Sequence, residues 1–281
     1  MLIIRDLQGI KQYIKDQKKK IHSIGFVPTM GALHEGHLSL CRQSLLENQC
    51  TIGSIFVNPI QFNNPKDLEQ YPRTEDSDLN LLKSTGCNAV FIPSVKEIYP
   101  EPAVIKFNFG HLETVMEGKH RPGHFSGVAV VVSKFFNIIE PDKAYFGSKD
   151  FQQVAIIKQL VKDLNFPVNI VECPTIREED GLAMSSRNLR LSSEKRKLAP
   201  HIYEALKFGS TSLKMNDVAG TKEKIEQYLQ KIPEISLEYF EIADAETLLP
   251  VVDVKDHKKI VLCIAAYLDG VRLIDNMLLF Y

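Results

Sequence analysis

The chain has 281 residues, of which 44% are hydrophobic and 25% are charged, and its formal net charge is −1. This length is enough for two domain cores of ordinary size. The near-neutral charge leaves no excess of cations to release counterions from a nucleic acid, so no nucleic acid is expected as the main partner. No apolar run approaches the roughly 18 residues that span a bilayer, so no membrane partner is expected either.

The N-terminal apolar stretch is too short for a signal peptide. The five cysteines are scattered and include no C-x-x-C pair. An odd number of cysteines without a framework spacing is typical of a reducing compartment. These features together predict a cytoplasmic protein.

Short apolar runs alternate with segments of helical periodicity in the first part of the chain. The segments predicted as strands are 24–27, 51–57, 89–93, 143–146 and 168–172. The segments predicted as helices are 38–48, 74–83, 127–139 and 151–164. This alternation predicts an α/β fold with a Rossmann-like parallel sheet, in which ligands bind at the carboxyl ends of the strands.

The pattern changes after about residue 176, where a polar segment precedes a different arrangement. Helices are predicted at 192–208 and 218–231, and strands at 237–243, 260–267 and 271–276. Two domains are therefore expected, a Rossmann-like domain over residues 1–175 and a smaller C-terminal α+β domain over residues 176–281.

The segment from residue 25 to residue 40 carries the most information. His34 and His37 follow a predicted strand and a turn, and a predicted helix begins close behind them. A helix start presents backbone N–H groups that bind phosphate, and histidines donate hydrogen bonds to the same kind of ligand. Two histidines at this spacing also suit a zinc site or a polar helix end, although no third zinc ligand follows at a recognisable spacing. The segment alone favours phosphate binding only slightly over a structural turn.

Two amides follow the next predicted strand. Asn58 and Gln61 can recognise a hydroxyl or a carboxylate without adding charge, which suits a small polar substrate. Asn58 precedes a proline, and this pair is also common in plain turns. The turn interpretation does not explain Gln61.

An acidic run follows Thr74, a suitable residue to cap a helix. A structural role near the helix start is the simpler interpretation for most of these carboxylates. Asp78 is nevertheless a candidate ligand for a Mg²⁺ ion that bridges phosphates.

Two further segments carry groups suited to a nucleotide. Gly147 allows close backbone approach, Lys149 offers a positive charge, and Asp150 is an acceptor of the kind that binds ribose hydroxyls. Gln153, one turn into the following helix, is a candidate substrate amide. The Met-Ser-Ser-Arg segment at 184–187 combines two hydroxyls with a guanidinium and can wrap a triphosphate, although paired serines are also common helix caps.

These motifs, in this order, resemble the pantoate–β-alanine ligase family, within the nucleotidyltransferases that have H-x-G-H and K-M-S-K-S-like loops. The resemblance extends from segment 28–37 to segment 272–276. It implies that ATP and pantoate give pantoyl adenylate and pyrophosphate, after which the amine of β-alanine displaces AMP. It also implies Mg²⁺, a homodimer, and nucleotide and pantoate binding by the first domain. Because a reactive mixed anhydride must be protected from water, the second domain is expected to close over the first as a lid, with segment 177–188 as hinge and lid.

The resemblance assigns roles to individual positions. The catalytic residues are His37, His34, Lys149 and Arg187, with His37 as the candidate general acid. The ATP-binding residues are Met30, Gly31, Ala32, Leu33, His34, Glu35, Gly36, His37, Gly147, Ser148, Lys149, Asp150, Ile176, Met184, Ser185, Ser186 and Arg187. The substrate-binding residues are Gln61, Gln153, Asn58 and Tyr71, and the metal candidate is Asp78.

The sequence departs from the family pattern at two positions. Ser148 stands where an acidic or amide residue is expected, and Ser77 stands where some members have a second carboxylate. The second departure favours a Mg²⁺ ion held mainly by phosphates and water over one that the protein ligates directly.

Two alternative functions remain at this stage. A cytidylyltransferase-like enzyme would share the histidines but use CTP, and the paired glutamines together with the 184–187 segment argue against it. A nucleotide-binding regulatory protein without catalysis is disfavoured because both histidines, Lys149 and Arg187 are present. Absence of pantoate-dependent release of pyrophosphate from ATP would remove the ligase interpretation and favour one of these two alternatives.

Overall fold

The computed structural model describes residues 1–214 and 217–281. The chain divides into two compact units. Unit 1 consists of Met1–Ser148 and Gln153–Pro174, and unit 2 consists of Lys149–Gln152 and Thr175–Tyr281. Residues Lys149–Gln152 therefore belong to unit 2, although unit 1 continues after them in the chain.

Unit 1 is built on a six-stranded sheet in which every strand pair is parallel. Its strands are β1 (Leu2–Ile4), β2 (Ile24–Thr29), β3 (Cys50–Ile55), β4 (Ala89–Phe91), β5 (Lys143–Gly147) and β6 (Asn169–Cys173). Their order across the sheet is β1-β4-β3-β2-β5-β6. The predicted α/β fold with a parallel sheet is confirmed.

The strand order reverses beside β2, because β3 lies on one side of it and β5 on the other. The chain runs outward through β3 and β4 and then returns to β5. Such a reversal leaves a crevice at the carboxyl edge of an open α/β sheet, where ligands bind. The segments after β2 and β3 are therefore placed to contact a ligand.

The helices of unit 1 pack around this sheet, and the last of them starts in the Lys149–Gln152 segment. They are α1 (Leu7–Lys19), α2 (Glu35–Glu47), α3 (Pro65–Glu69), α4 (Glu75–Thr85), α5 (Val95–Ile98), α6 (Met116–His120), α7 (His124–Ile139) and α8 (Phe151–Leu164). Most of α7 is buried. Its Phe135 ring meets the rings of Phe26, Phe56 and Phe91 edge to face, with centroids 5.6, 5.9 and 6.2 Å away.

Glu47, at the end of α2, ties this helix to β5. Its Oε2 accepts hydrogen bonds from Lys143 Nζ at 2.8 Å and from the Tyr145 hydroxyl at 3.0 Å. Gln43 Nε2 donates to Oε1 at 2.5 Å. The hydrogen bond from Lys143 is the largest of the effects that lower the pKa of Glu47 to about 2.

This lowered pKa makes the stability of unit 1 sensitive to acid. A carboxyl group with a pKa lower in the folded than in the unfolded chain stabilises the fold above its unfolded pKa, and this contribution is lost as the pH falls toward the folded pKa. For Glu47 the window runs from the ordinary value of 4.5 down to about 2. We expect the Glu47→Gln variant to have a lower free energy of unfolding than the wild type at pH 7. Between pH 5 and pH 3, the free energy of unfolding should fall less in the variant than in the wild type. Urea unfolding across this range measures the effect, and a difference between the two proteins that does not change with pH would contradict it.

Unit 2 combines an antiparallel sheet with helices, as predicted for the C-terminal part of the fold. Its elements are α9 (Ser193–Arg196), α10 (His201–Leu213), α11 (Val218–Gln230), β7 (Ile235–Asp244), β8 (Lys259–Leu268) and β9 (Val271–Phe280). The sheet order is β7-β8-β9. Helix α10 packs against β8 and β9, and α11 packs against β7. Apolar side chains from both layers, such as Ile202, Ile225 and Leu262, are fully buried between them.

Two of the differences from the sequence pattern have a plain physical reason. The helix predicted over 192–208 is two helices, α9 and α10, with Pro200 at the break. Proline lacks a backbone N–H and disfavours the helical conformation in the residue before it, so one helix does not run through. Strand β1 is not predicted, because three residues are too few to show periodicity. Among the described residues, no helix combines the length and the hydropathy needed to cross a membrane.

Candidate active site

The turn after β2 has an unusual backbone conformation. Gly31 and Ala32 both have positive φ, +81° and +48°, in the left-handed region that costs a residue with a Cβ roughly 1–2 kcal/mol. Thr29 Oγ1 donates to Ser54 O at 2.6 Å and accepts from Gly31 N at 3.2 Å, which fixes the start of the turn on β3. A Cβ at position 31 would lie 3.0 Å from a carboxylate oxygen of Asp78. Glycine is thus required there by both conformation and space.

Asp78 stabilises this turn from α4. Its carboxylate is buried, with the residue 1% exposed. Oδ2 accepts from Ala32 N at 2.9 Å, and Oδ1 accepts from Leu33 N at 2.7 Å and from Thr74 Oγ1 at 3.1 Å. Hydrogen bonds to an ionised acceptor are stronger than neutral ones. The carboxylate therefore compensates for the strained backbone and determines where the following residues lie.

The metal-ligand role of Asp78 stays a prediction. Both of its oxygens already accept hydrogen bonds from the backbone of the turn. Within residues 1–214 and 217–281, no group of three His, Cys, Asp or Glu side chains is placed to hold a metal ion. What the structure shows of Asp78 is an acceptor that orients the turn after β2.

His34 and His37 form the start of α2. Helix α2 begins at Glu35, three residues before the predicted start, because the His34 side chain caps it: Nδ1 accepts from Gly36 N at 3.2 Å. His37 Nδ1 accepts from His34 N at 3.3 Å, which completes a capping box. The two ring centroids are 4.1 Å apart. Glu35 pairs with Arg42 at the surface, and the hydrogen bond from Arg42 lowers the pKa of Glu35.

These hydrogen bonds define the chemistry of the two histidines. A ring nitrogen that accepts an N–H bond carries no proton, so the proton of each neutral ring is on Nε2. His34 and His37 are therefore assigned as Nε2–H donors at the N-terminus of a helix of 13 residues. Helix N-termini favour anions, and two N–H donors add to that preference.

Asn58 and Gln61 form a second hydrogen-bonded group, after β3. Asn58 is 1% exposed, and its Nδ2 donates to Gln61 Oε1 at 3.0 Å and to Gly127 O at 3.1 Å. Its Oδ1 accepts from the Tyr99 hydroxyl at 2.9 Å. Gln61 Nε2 lies 3.1 Å from Met30 Sδ. The amide of Asn58 is thus engaged with protein at both ends and orients Gln61, and its direct contact with the substrate stays a prediction.

The start of α7 supports the backbone of Gln61. Buried His124 donates from Nδ1 to Gln61 O at 2.8 Å, and its Nε2 lies 3.1 Å from Arg121 Nη1. Arg121 also pairs with Glu117 at 3.5 Å. A Cβ on Gly127 would lie 2.4 Å from the carbonyl oxygen of Ile60, so only glycine permits this close packing. The sequence pattern identified a helix start here but not this support for a substrate amide.

Two other predicted substrate residues lie elsewhere in unit 1. Tyr71 is buried, and its ring meets that of Phe62 at a centroid distance of 5.8 Å. Gln153 is half-buried in the first turn of α8. Ser148, after β5, lies with its Oγ 3.0 Å from Glu172 Oε1 and 2.9 Å from Cys173 O. Its hydroxyl therefore ties the end of β5 to β6, which explains why a serine serves at this position.

Gly147 is the last residue of β5 in unit 1, and the other predicted residues belong to unit 2. Lys149 and Asp150 lie in a 3-10 turn that precedes α8. Ile176 and Met184 close a loop, because Met184 N donates to Ile176 O at 3.0 Å and residues 177 and 183 form a bridge. Ser185 caps the 3-10 turn Ser186–Arg190, with its Oγ accepting from Arg187 N at 3.3 Å. The predicted Met-Ser-Ser-Arg segment is therefore an ordered turn with Ser186 buried in it.

The site residues thus fall into a few local groups. In unit 1, Gly31 to Leu33 meet Asp78, the two histidines meet each other, and Met30 meets Gln61. In unit 2, Ile176 joins Met184. A loop with two histidine donors beside an oriented amide can bind an anionic ligand and a small polar one.

The sequence profile described as pantoate-beta-alanine ligase matches residues 2–278. A pantothenate synthetase of Cytophaga hutchinsonii is 51% identical over 281 residues, which cover 99% of each protein. The chain belongs to the pantoate–β-alanine ligase family. Another relative, the pantothenate synthetase of Porphyromonas gingivalis, is 48% identical over 277 residues and 99% of each protein.

Crystal structures of pantoate–β-alanine ligases have the same fold. The pantothenate synthetase of Thermus thermophilus matches with a TM-score of 0.92 at 40% identity, covering 99% of both chains. The pantoate–β-alanine ligase of Francisella tularensis, complexed with beta-gamma ATP and β-alanine, matches with a TM-score of 0.82 at 38% identity, covering 99% of this chain and 97% of that one. The predicted family and its ligase class are confirmed.

Proposed function

We propose that this protein condenses pantoate with β-alanine at the expense of ATP, through a pantoyl adenylate, and releases pyrophosphate and AMP. The observation that carries the proposal is the turn after β2, where two histidines held through Nδ1 have their donors on Nε2 at the start of α2. Membership of the ligase family supports it, as does the Francisella relative complexed with beta-gamma ATP and β-alanine.

In the first step, a pantoate carboxylate oxygen attacks the α-phosphorus of ATP, and the bond to the pyrophosphate oxygen breaks. Negative charge moves onto the pyrophosphate, so donors aimed at its oxygens lower the barrier. We assign this role to His34, His37 and the N–H groups of α2, with Lys149 and Arg187 as further cations. His37 acts here as a hydrogen-bond donor through Nε2, because its Nδ1 is already an acceptor.

In the second step, the amine of β-alanine attacks the carbonyl carbon of the adenylate. The amide bond forms, the bond to the AMP oxygen breaks, and the nitrogen loses a proton to solvent. We propose that Gln61 and Gln153 hold pantoate through both steps, with Asn58 acting through Gln61 and with Tyr71 beside the substrate. An amide oriented by buried partners positions a substrate without adding charge.

The remaining assignments are proposals that rest on the family resemblance. Residues 30–37, 147–150, 176 and 184–187 bind ATP, and residues 176–281 serve as a lid with segment 177–188 as its hinge. A lid fits the chemistry, because a mixed anhydride must be shielded from water. Mg²⁺ would enter with ATP, held mainly by phosphate oxygens and water, because both oxygens of the candidate ligand Asp78 already accept hydrogen bonds from the turn. The protein is proposed to be a cytoplasmic homodimer.

The function is tested by exchange of labelled pyrophosphate into ATP without β-alanine. We expect exchange that depends on pantoate, and sustained formation of AMP only when β-alanine is added. Exchange with CTP in place of ATP would favour a cytidylyltransferase. Nucleotide binding without any pantoate-dependent exchange would contradict the proposal and favour a regulatory protein.

A further inference from the structure

Strand β9 carries two consecutive buried polar residues that the reaction above does not use. Asp275 is 3% exposed and Asn276 is 8% exposed. Both lie in the 272–276 segment, one of the motifs that resemble the ligase family. A buried polar side chain is costly unless it is hydrogen-bonded, so its partners indicate its role.

Asp275 binds Arg177 in a bidentate pair. Oδ2 lies 2.6 Å from Nη1 and Oδ1 lies 3.0 Å from Nη2. The same guanidinium donates to the carbonyl oxygens of Gly181, at 3.1 Å, and of Asn276, at 3.3 Å. Arg177 lies at the base of the 176–184 loop, so Asp275 fixes this base to β9.

Asn276 reaches a different functional segment. Its Nδ2 donates to the backbone oxygen of Lys149 at 2.9 Å, and its own N–H donates to Asp275 Oδ1 at 2.7 Å. Strand β9 also packs against the Ser186–Arg190 turn, which contains Arg187. One strand thus lies against the three segments of unit 2 that carry the proposed ATP-binding residues.

We infer that Asp275 and Asn276 are positioning residues for the ATP-dependent half-reaction, holding Lys149 and the base of the 176–184 loop in one arrangement. This inference rests on the proposed function. Both residues act through other groups, namely the Lys149 backbone and the Arg177 guanidinium. Fixing the backbone of Lys149 reduces the entropy lost when its flexible side chain meets a phosphate. The attack of β-alanine on a preformed adenylate involves no pyrophosphate, so that half-reaction loses only the contacts to the AMP moiety and is affected less.

Unit 2 offers a matched control on the same strand. Arg272, also on β9, pairs with Glu238 on β7, with Nε 2.9 Å from Oε2. The two side chains are only 16% and 15% exposed. Glu238→Gln therefore perturbs another partly buried polar contact of β9, the one made by Arg272.

The experiment compares Asn276→Ala, Asp275→Asn and Glu238→Gln in both half-reactions. We expect kcat/KM for ATP in pantoate-dependent exchange to fall about tenfold in Asn276→Ala and further in Asp275→Asn. Glu238→Gln stays within about twofold in both half-reactions. In the other two variants, release of AMP from supplied pantoyl adenylate by β-alanine falls several-fold less than the exchange does. Hydrogen exchange without substrates should rise over residues 149–155 in Asn276→Ala but not in Glu238→Gln.

Two results would overturn the inference. One is exchange by Asn276→Ala within twofold of the wild type. The other is an equal loss of both half-reactions that follows the melting temperature, as a general loss of stability would produce. A wild-type protein without pantoate-dependent exchange would instead refute the proposed function. The ligand-free hydrogen exchange would then still decide whether Asn276 holds the 149–155 segment.

Discussion

Asp78→Ala is expected to lower the free energy of unfolding by about 3 kcal/mol and to abolish the ligase reaction. The substitution removes the carboxylate that accepts from the backbone N–H groups of Ala32 and Leu33 inside the protein. It also leaves the left-handed turn at Gly31 and Ala32 without its main support. The two histidines follow this turn directly, so their positions are lost with it. Urea unfolding and pyrophosphate exchange measure the two effects.

Two variants make this result specific. Asp78→Asn keeps one carbonyl acceptor and should lie between the wild type and the alanine variant in stability. Asp76 is exposed on the same helix, so Asp76→Asn should change neither property. A stable Asp78→Asn protein whose activity returns only with a much higher Mg²⁺ concentration would contradict the orienting role and favour direct ligation of the ion.

His37→Ala is expected to slow pantoate-dependent pyrophosphate exchange by about 10²–10³-fold, the usual effect of removing one donor to a developing oxyanion. The ring is assigned as an Nε2–H donor, so a side chain with an N–H at the same reach should restore part of the rate. His37→Gln supplies such a donor and cannot transfer a proton. We expect the His37→Gln variant to be about tenfold faster than His37→Ala in this exchange.

A control variant and two contrary outcomes make this test specific. His22 contacts Gln17 through Nδ1 at 3.0 Å, away from the turn, and His22→Ala should retain the wild-type rate. Full activity of His37→Ala would remove His37 from the mechanism. A His37→Gln variant as slow as His37→Ala, with an unchanged melting temperature, would favour proton donation over hydrogen bonding.

The features predictable from the sequence are those with a local signal. The alternation of apolar runs and helical segments predicts the parallel sheet, because each strand and helix shows its own periodicity. The motif order predicts the family and identifies His34, His37 and Gln61 as candidate site residues. The break at Pro200 also had a local signal, a proline inside a predicted helix.

The contacts that define the site could not be predicted because they join distant positions. Asp78 meets residues 45 and 46 positions away, and His124 meets Gln61 across 63 positions. One signal for Asp78 was present: it lies four residues before Leu82, on the side of the helix that faces the core. A carboxylate on that side must have buried partners. The contact between Asn276 and Lys149 had no comparable signal in the sequence, because the pattern of a strand does not indicate which residues its side chains contact.

The position of β2 between β3 and β5 also has a consequence for synthesis on the ribosome. Strands β1 to β4 can pair once residue 91 has emerged, but β5 begins only at residue 143. Until then the central strand of the finished sheet is an exposed edge, and its apolar side chains, such as Ile24 and Phe26, are covered on fewer sides. At about 5–20 residues per second, the roughly 50 residues between these points take several seconds to translate. During that interval β2 has an edge of unpaired backbone N–H and C=O groups, the kind of edge that can pair with a strand of another chain.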